Sequence, residues 1–170
     1  IVLDIVNIPL TVFAFLGGAL AIGVGFGAQN LINNFISGLI LLTERPISLD
    51  DLVEVEGVRG RVRTIGARCS RIRRADGIDM LVPNSVFLEK NVTNLTLTDT
   101  QLRVSVKVGV AYGSPLREVT RLLQEAVEMH GRVLKDPAPM ILFEDFGDNA
   151  LMFDVNFWVN VSAQTDSRVV

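Results

Sequence analysis

IVNIPLTVFAFLGGALAIGVGFGAQNLINNFISGLILLT, residues Ile5–Thr43, decides how the rest of the chain is read. Its 39 residues include no Asp, Glu, Lys, Arg or His. A bilayer's hydrocarbon core is about 30 Å thick and takes about 20 apolar helical residues to cross. As one straight helix the run would be about 58 Å long at about 1.5 Å per residue, too long for a single perpendicular span. Gln29, Asn30, Asn33 and Asn34 cluster in its middle. The expected arrangement is a spanning helix to about Ala28, a change of direction at Gln29–Asn30, and a shorter helix over Leu31–Leu42.

The first half is rich in small residues. In a soluble helix each Gly costs about 1 kcal/mol relative to Ala. In a membrane, small residues let helices approach closely. Gly17, Gly23, Gly25 and Gly27 are therefore expected to be packing positions, as in a ring of identical helices. Phe15, Ile22 and Phe26 recur at i, i+7 and i+11 on one helical face, and Gln29 and Asn33 extend that face towards a polar end. An apolar stripe of this kind suits a pore lining with a narrow neck. A plain packed helix in a membrane bundle fits the same residue types. Gly23-Val-Gly25-Phe-Gly27-Ala28 matches the dinucleotide pattern G-x-G-x-x-[GA], but that fingerprint needs a preceding strand and a carboxylate about 20 residues on. Here it sits inside an uncharged run, so nucleotide binding is set aside.

Residues 31–42 form an amphipathic pattern. Leu31, Phe35, Leu39 and Leu42 share one face with Ile32, Ile36 and Ile40 beside it, and Asn33, Asn34 and Ser37 lie opposite. The expectation is a helix on the membrane surface, or on the domain below it, held by its apolar face. Glu44-Arg45-Pro46 ends it, because Pro cannot continue a helix and displaces its predecessor from helical geometry.

After Pro46 the hydrophobic period becomes two. Leu52–Val55, Gly57–Ile65, Ala67–Arg74, Ile78–Val82 and Val92–Leu97 read as short strands, punctuated by Glu56-Gly57, Gly66 and Asp76-Gly77. Five strands in about 50 residues imply a small barrel. Arg59, Arg61, Arg63, Arg68, Arg71, Arg73 and Arg74 fall between Gly57 and Ala75 with no acid among them. No aromatic is interleaved to stack on bases, so the cluster reads as a positive flank or an ion-facing vestibule, not a nucleic-acid site. From Leu102 the pattern is strand (102–110), helix (116–129 after Ser114-Pro115), strand (140–146) and strand (151–161), the first two-thirds of a ferredoxin-like split unit.

The net charge of −3 hides this layout. Residues 44–107 carry 11 basic and 9 acidic side chains, while residues 108–170 carry 5 and 9. One cysteine, Cys69, excludes an intrachain disulfide framework, and one histidine, His130, sits at a helix end. No set of residues has catalytic or metal-ligand spacing, so neither an enzyme, a metal nor a cofactor is expected. The N-terminal run lacks the basic n-region of a signal peptide. Beginning at Ile1 and stopping at Val170, the sequence is expected to be a piece of a longer chain.

The order of these parts resembles the small-conductance mechanosensitive channel family, on the side of its large multi-helix members. Leu16–Ala28 is similar to the family's glycine-rich pore helix, Gln29 to the residue at its kink, and Asn34–Leu42 to its N-x-x-x-G-x-x-x-L pattern. Arg45-Pro46, Asp50-Asp51-Leu52-Val53, Gly57-Val58-x-Gly60-x-Val62, Ala75-Asp76-Gly77, Val82-Pro83-Asn84 and Gly109-Val110-Ala111-Tyr112 follow in the family's order. The resemblance implies a homoheptamer in the cell inner membrane, multi-pass, with residues after about 30 in the cytoplasm. It implies that residues 1–29 form the pore helix, 30–45 the interfacial helix, 46–97 an Sm-like β domain and 98–170 an incomplete α/β domain. Ile22 and Phe26 would narrow the pore. Phe15, Gly18, Ala19, Gln29 and Asn33 would line it, and Gln29 and Asn30 would carry the kink. The seven arginines would set the charge of a vestibule through which ions pass. A membrane-anchored, non-conducting scaffold with the same domains is the alternative.

Overall fold

A computed structural model describes residues 10–161. The beginning of the uncharged run (residues 5–9) and the end of the last unit (162–170) lie outside the described residues. The chain forms one long helix, a five-stranded antiparallel sheet and a three-stranded sheet flanked by a helix.

Helix α1 runs without interruption from Leu10 to Glu44. The expected division into two helices is therefore corrected: Gln29, Asn30, Asn33 and Asn34 stay within one hydrogen-bonded helix. None of them is Gly or Pro, and each costs a helix less than about 0.7 kcal/mol. Asn34 also folds its side-chain amide back along the helix to the carbonyl of Asn30 at 2.8 Å. The stop comes where expected. Arg45 takes a left-handed backbone (φ 53) and its amide donates to the carbonyl of Leu41 at 3.1 Å, with Pro46 next.

The first sheet contains β1 (Leu52–Val55), β2 (Val58–Ile65), β3 (Cys69–Arg73), β4 (Asp79–Pro83) and β5 (Val92–Asn94), in the order β4-β3-β2-β1-β5. A short helix, α2 (Val86–Glu89), precedes β5. The β1–β2 hairpin pairs Val55 with Val58 across Glu56-Gly57, both at positive φ (51 and 79), the geometry a two-residue hairpin turn demands. Val53, Val55, Val62, Ile72, Val82 and Phe87 form the core, together with Leu41 of α1 and Ile47 of the loop that leaves it.

The second sheet contains β6 (Gln101–Val110), β7 (Met140–Phe146) and β8 (Leu151–Asn160), in the order β6-β8-β7, all antiparallel, with α3 (Leu116–Glu128) packed against β7. Pro115 takes extended geometry (φ −70, ψ 110) immediately before α3 and occupies its N-cap position. A second cluster joins the two sheets: Leu52 buries against Val159 and Val161, with Leu95, Leu102, Val104 and Phe157 around them.

Candidate pore helix and its junction with the first sheet

At about 100° per residue, Phe15, Gly18, Ala19, Ile22, Phe26, Gln29 and Asn33 fall within one stripe of α1. Because the helix is continuous, the expected pore residues share a face throughout. The large ones stand clear of the rest of the chain: Phe15 is 77 % exposed, Ile22 62 % and Phe26 75 %. Ile22, Gly25, Phe26 and Gln29 line a shallow groove of about 340 Å³. Residues Thr11–Glu44 are long and apolar enough to cross a bilayer. At Gly17, Gly18, Gly23, Gly25 and Gly27 an added Cβ would meet nothing within 4 Å. Asn33 departs from a free lining position, since its amide donates to a Glu89 carboxylate oxygen of α2 at 2.7 Å.

About a quarter-turn away on the same helix is a different surface. Ser37, Gly38 and Leu41 are buried and Asn34 is half-buried. Their spacing of i, i+3, i+4 and i+7 places them on one face. Leu41 is fully enclosed by the first sheet's core. A Cβ on Gly38 would lie 2.6 Å from Asn84 Nδ2 and 2.7 Å from the carbonyl oxygen of Ala67, so only glycine allows this approach. Asn34 Oδ1 accepts the amide of Ser85 at 3.1 Å. Asn84, itself buried, donates to the carbonyl of Gly66 at 2.9 Å and accepts from the Ser70 hydroxyl at 2.9 Å. Its Nδ2 also reaches the carbonyl of Asn34 at 3.4 Å.

This junction corrects the expected docking face. The helix meets the sheet through its small and polar side, while Leu31, Ile32, Phe35, Ile36, Leu39 and Leu42 remain exposed. The helical spacing of Asn34, Ser37, Gly38 and Leu41 was legible; counting hydrophobes alone selects the opposite face. The motif residues Asn34, Gly38 and Asn84 gain a physical reason, whereas Leu41, not Leu42, supplies the apolar anchor. Above the junction, Gly27, Asn30, Leu31, Arg68, Cys69 and Leu81 line a crevice of about 490 Å³.

The arginine cluster is less free than its sequence suggests. Acids flanking the arginine-rich run reach four of its members: Arg59 pairs with Glu54, Arg63 with Asp50 at 2.9 Å, Arg73 with Asp79 at 3.1 Å, and Arg74 with Asp76 at 2.8 Å. Arg68 and Arg71 are exposed and form no ion pair among the described residues. Arg61 is corrected outright as a vestibule-facing charge. It is 5 % exposed and donates to the backbone carbonyls of Asp50 and Val161. Within β2, Arg59 and Arg63 are exposed while Arg61 between them is buried, where it reaches the carbonyl of Val161. Among the described residues no group of acids, His or Cys is arranged to hold a metal ion.

The fold, with an uncharged helix docked on a small sheet and a second sheet beyond it, is that of mechanosensitive channels. Residues 30–97 match the family model of the mechanosensitive ion channel β-domain, and residues 104–167 match that of the MscS C-terminal region. The chain belongs to the MscS family of mechanosensitive ion channels, a family of channels and not of enzymes. It is 38 % identical over 145 residues to the mechanosensitive channel MscK of Escherichia coli K12, covering 85 % of this chain and 13 % of that protein. It is 31 % identical over 155 residues to the miniconductance mechanosensitive channel MscM of the same organism, covering 91 % of this chain and 14 % of that protein. The chain thus spans only a small part of these long relatives, in keeping with the expected kinship to the large members. The closed-state crystal structure of Helicobacter pylori MscS has the same fold, with a TM-score of 0.80, 23 % identity, and coverage of 94 % of this chain and 62 % of that one.

Proposed function

We propose that this chain supplies the pore helix and the first two extramembrane sheets of a channel opened by membrane tension, which releases ions and small osmolytes on hypo-osmotic shock. The observation that carries this reading is the division of α1: an exposed, uncharged half bears the Phe15–Ile22–Phe26 stripe, and a second half is locked to a folded domain. Counting about 20 residues from Leu10 reaches Gln29, so the bilayer would hold the first half, and the docked half would stand in the cytoplasm of a cell whose inner membrane contains the channel. Seven copies around one axis would bring Gly17, Gly23, Gly25 and Gly27 against neighbouring helices. The vacant space beside these glycines supports that role. The first sheet fits an Sm-like barrel. The strand order first–third–second in the other sheet supports a ferredoxin-like split unit.

Ile22 and Phe26 would form two apolar rings narrow enough to dewet, so that ions are stopped without complete steric closure. Tension favours the state of larger in-plane area, and tilting the helices would carry both rings off the axis. Gln29 and Asn30 are the proposed point of flexing, because they separate the free half from the docked half. Arg68 and Arg71, with no acid beside them, would contribute most of the vestibule's positive potential. Patch recordings from the full protein test the gate. Ile22→Ser and Phe26→Ser are expected to hydrate the neck and open at lower tension, and unchanged thresholds in both would remove these residues as the gate. Failure of the wild-type protein to conduct in stretched liposomes would favour the membrane-anchored scaffold instead.

A further inference from the structure

Arg61 sits in the middle of β2 with its guanidinium enclosed between three parts of the chain. Nη1 donates to the carbonyl of Asp50 at 3.0 Å and Nη2 to the carbonyl of Val161 at 2.6 Å. Asp50 lies in the loop that carries the chain from α1 into β1. Val161 follows the last residue of β8, 100 positions from Arg61 in sequence.

Both acceptors are themselves fixed. Asp50 holds a left-handed backbone (φ 66), its amide donates to the carbonyl of Val62 at 2.8 Å, and the Val62 amide returns to Asp51 at 2.9 Å. The Val161 amide donates to the carbonyl of Thr100 at 2.8 Å, and its side chain is buried with Leu52 and Val159. The loop that carries Asp50 is anchored at its α1 end by Ile47, buried in the same core as Leu41 of α1. A buried cation is costly unless its donors are satisfied, and a planar guanidinium can serve two carbonyls lying in different directions where an ammonium serves such a pair poorly. Burial pulls the Arg61 pKa below its ordinary value, and the charge of Arg63 adds to this while that of Asp50 opposes it.

We propose that Arg61 is a latch that couples the loop leaving α1 to the C-terminal end of the second sheet, so that movement at the foot of the helix is passed to the sheet most distant from it in sequence. The cluster of Leu52, Val159 and Val161 supplies adhesion between the sheets, and Arg61 supplies a directional connection that apolar contacts cannot.

The test is hydrogen exchange by mass spectrometry on the full protein in lipid nanodiscs, with no demand on channel activity, so a failed channel reading and a failed latch are distinguishable. Arg61→Met keeps the apolar stem and removes the donors; Arg61→Lys keeps the charge, loses the fork and covers the case in which Arg61→Met does not fold. In either variant, segments 50–51, 100–104 and 159–161 are expected to exchange about tenfold faster while β3 is unchanged. Ile47→Ala, which loosens the loop from the α1 side, is expected to speed exchange at 159–161 in the native background and to add little once Arg61 is replaced, a non-additivity that marks coupling. Unchanged exchange at 159–161 in both Arg61 variants overturns the proposal. So does equal acceleration of β3, which would make Arg61 a support of the first sheet only, and so does strict additivity with Ile47→Ala.

Discussion

The two halves of α1 are built alike and end in opposite circumstances. Each carries small residues on a helix with no charge between Leu10 and Thr43. In the half up to Gly27, the space beside every glycine is vacant among the described residues. In the half from Asn34 to Leu41, the one glycine is pressed against Asn84 and the Ala67 carbonyl. A small residue thus records that something comes close without saying what. For Gly38 the partner is 46 positions downstream on the same chain; for Gly17, Gly23, Gly25 and Gly27 no described residue fills that place.

The comparison breaks most sharply at Gly38. Gly38→Val places branched carbons where backbone already lies, and the Ala67 carbonyl cannot rotate away as a side-chain tip would. The expected loss is about 2–3 kcal/mol, the range of severe overpacking, read as a lowered thermal midpoint of the full protein. Gly25→Val on the free half introduces the same side chain without a clash inside this chain. On the proposed assembly it should leave the first sheet's stability unchanged and act where copies meet, as altered assembly or tension threshold.

Asn84→Ala comes next. It strips the Ser70 hydroxyl and the Gly66 carbonyl of a buried partner and removes the amide that faces Asn34. Leaving buried polar groups unsatisfied costs about 1–3 kcal/mol. Exchange should accelerate in β3 and in the second half of α1 together, since Asn84 touches both. Acceleration in β3 alone would mean that Asn84 serves the sheet and not the helix.

Much of this was legible beforehand. Period-two alternation, Glu56-Gly57 and Asp76-Gly77 locate the strands, because strand and turn chemistry are local. Arg45-Pro46 locates the end of α1 for the same reason. Three readings failed, one for a local reason and two where the deciding contact is distant in sequence. The helix did not break at Gln29–Asn30, since polar residues alone do not interrupt a hydrogen-bonded ladder. The docking face was chosen by hydrophobicity, although close approach favours Gly38 and Ser37 over Leu39. Arg61 was grouped with its exposed neighbours because Val161, 100 residues away, is invisible to a strand-level pattern.

Ile22→Ser and Phe26→Ser sharpen the contrast from the other side. Both residues are exposed within the chain, so unfolding of the sheets should move by less than about 0.5 kcal/mol. The gate reading requires their effect to appear in tension threshold. A large fall in thermal stability from either variant would show that the free half is packed on this chain's own domains after all.

The smallest expected effect separates the junction from the second sheet by pH. Asn34, Ser37, Ser70 and Asn84 have no titrating group, so acid should not loosen them directly. The second sheet carries an ionic row: Lys107 donates to Glu144 at 2.8 Å, and Asp154 accepts from the Ser105 hydroxyl and from Asn156. Those two hydrogen bonds, Ser105's first, hold the Asp154 carboxyl below its ordinary value of 3.8, with Lys107 and Arg103 assisting and desolvation opposing. A carboxylate with a depressed folded-state pKa stabilises fully above its unfolded value. That contribution is lost as pH falls from there through the folded value. Trp158, the only tryptophan, lies in β8 and reports on this sheet. Its fluorescence melting midpoint should fall as pH drops below about 4. Asp154→Asn should shallow that fall, while Asn84→Ala should lower the curve without changing its slope. The Asp154 effect is small because the group is exposed and screened by solvent. Equal slopes for wild type and Asp154→Asn would remove Asp154 from the acid sensitivity of the sheet, and a changed slope in Asn84→Ala would show that acid sensitivity is not confined to the second sheet.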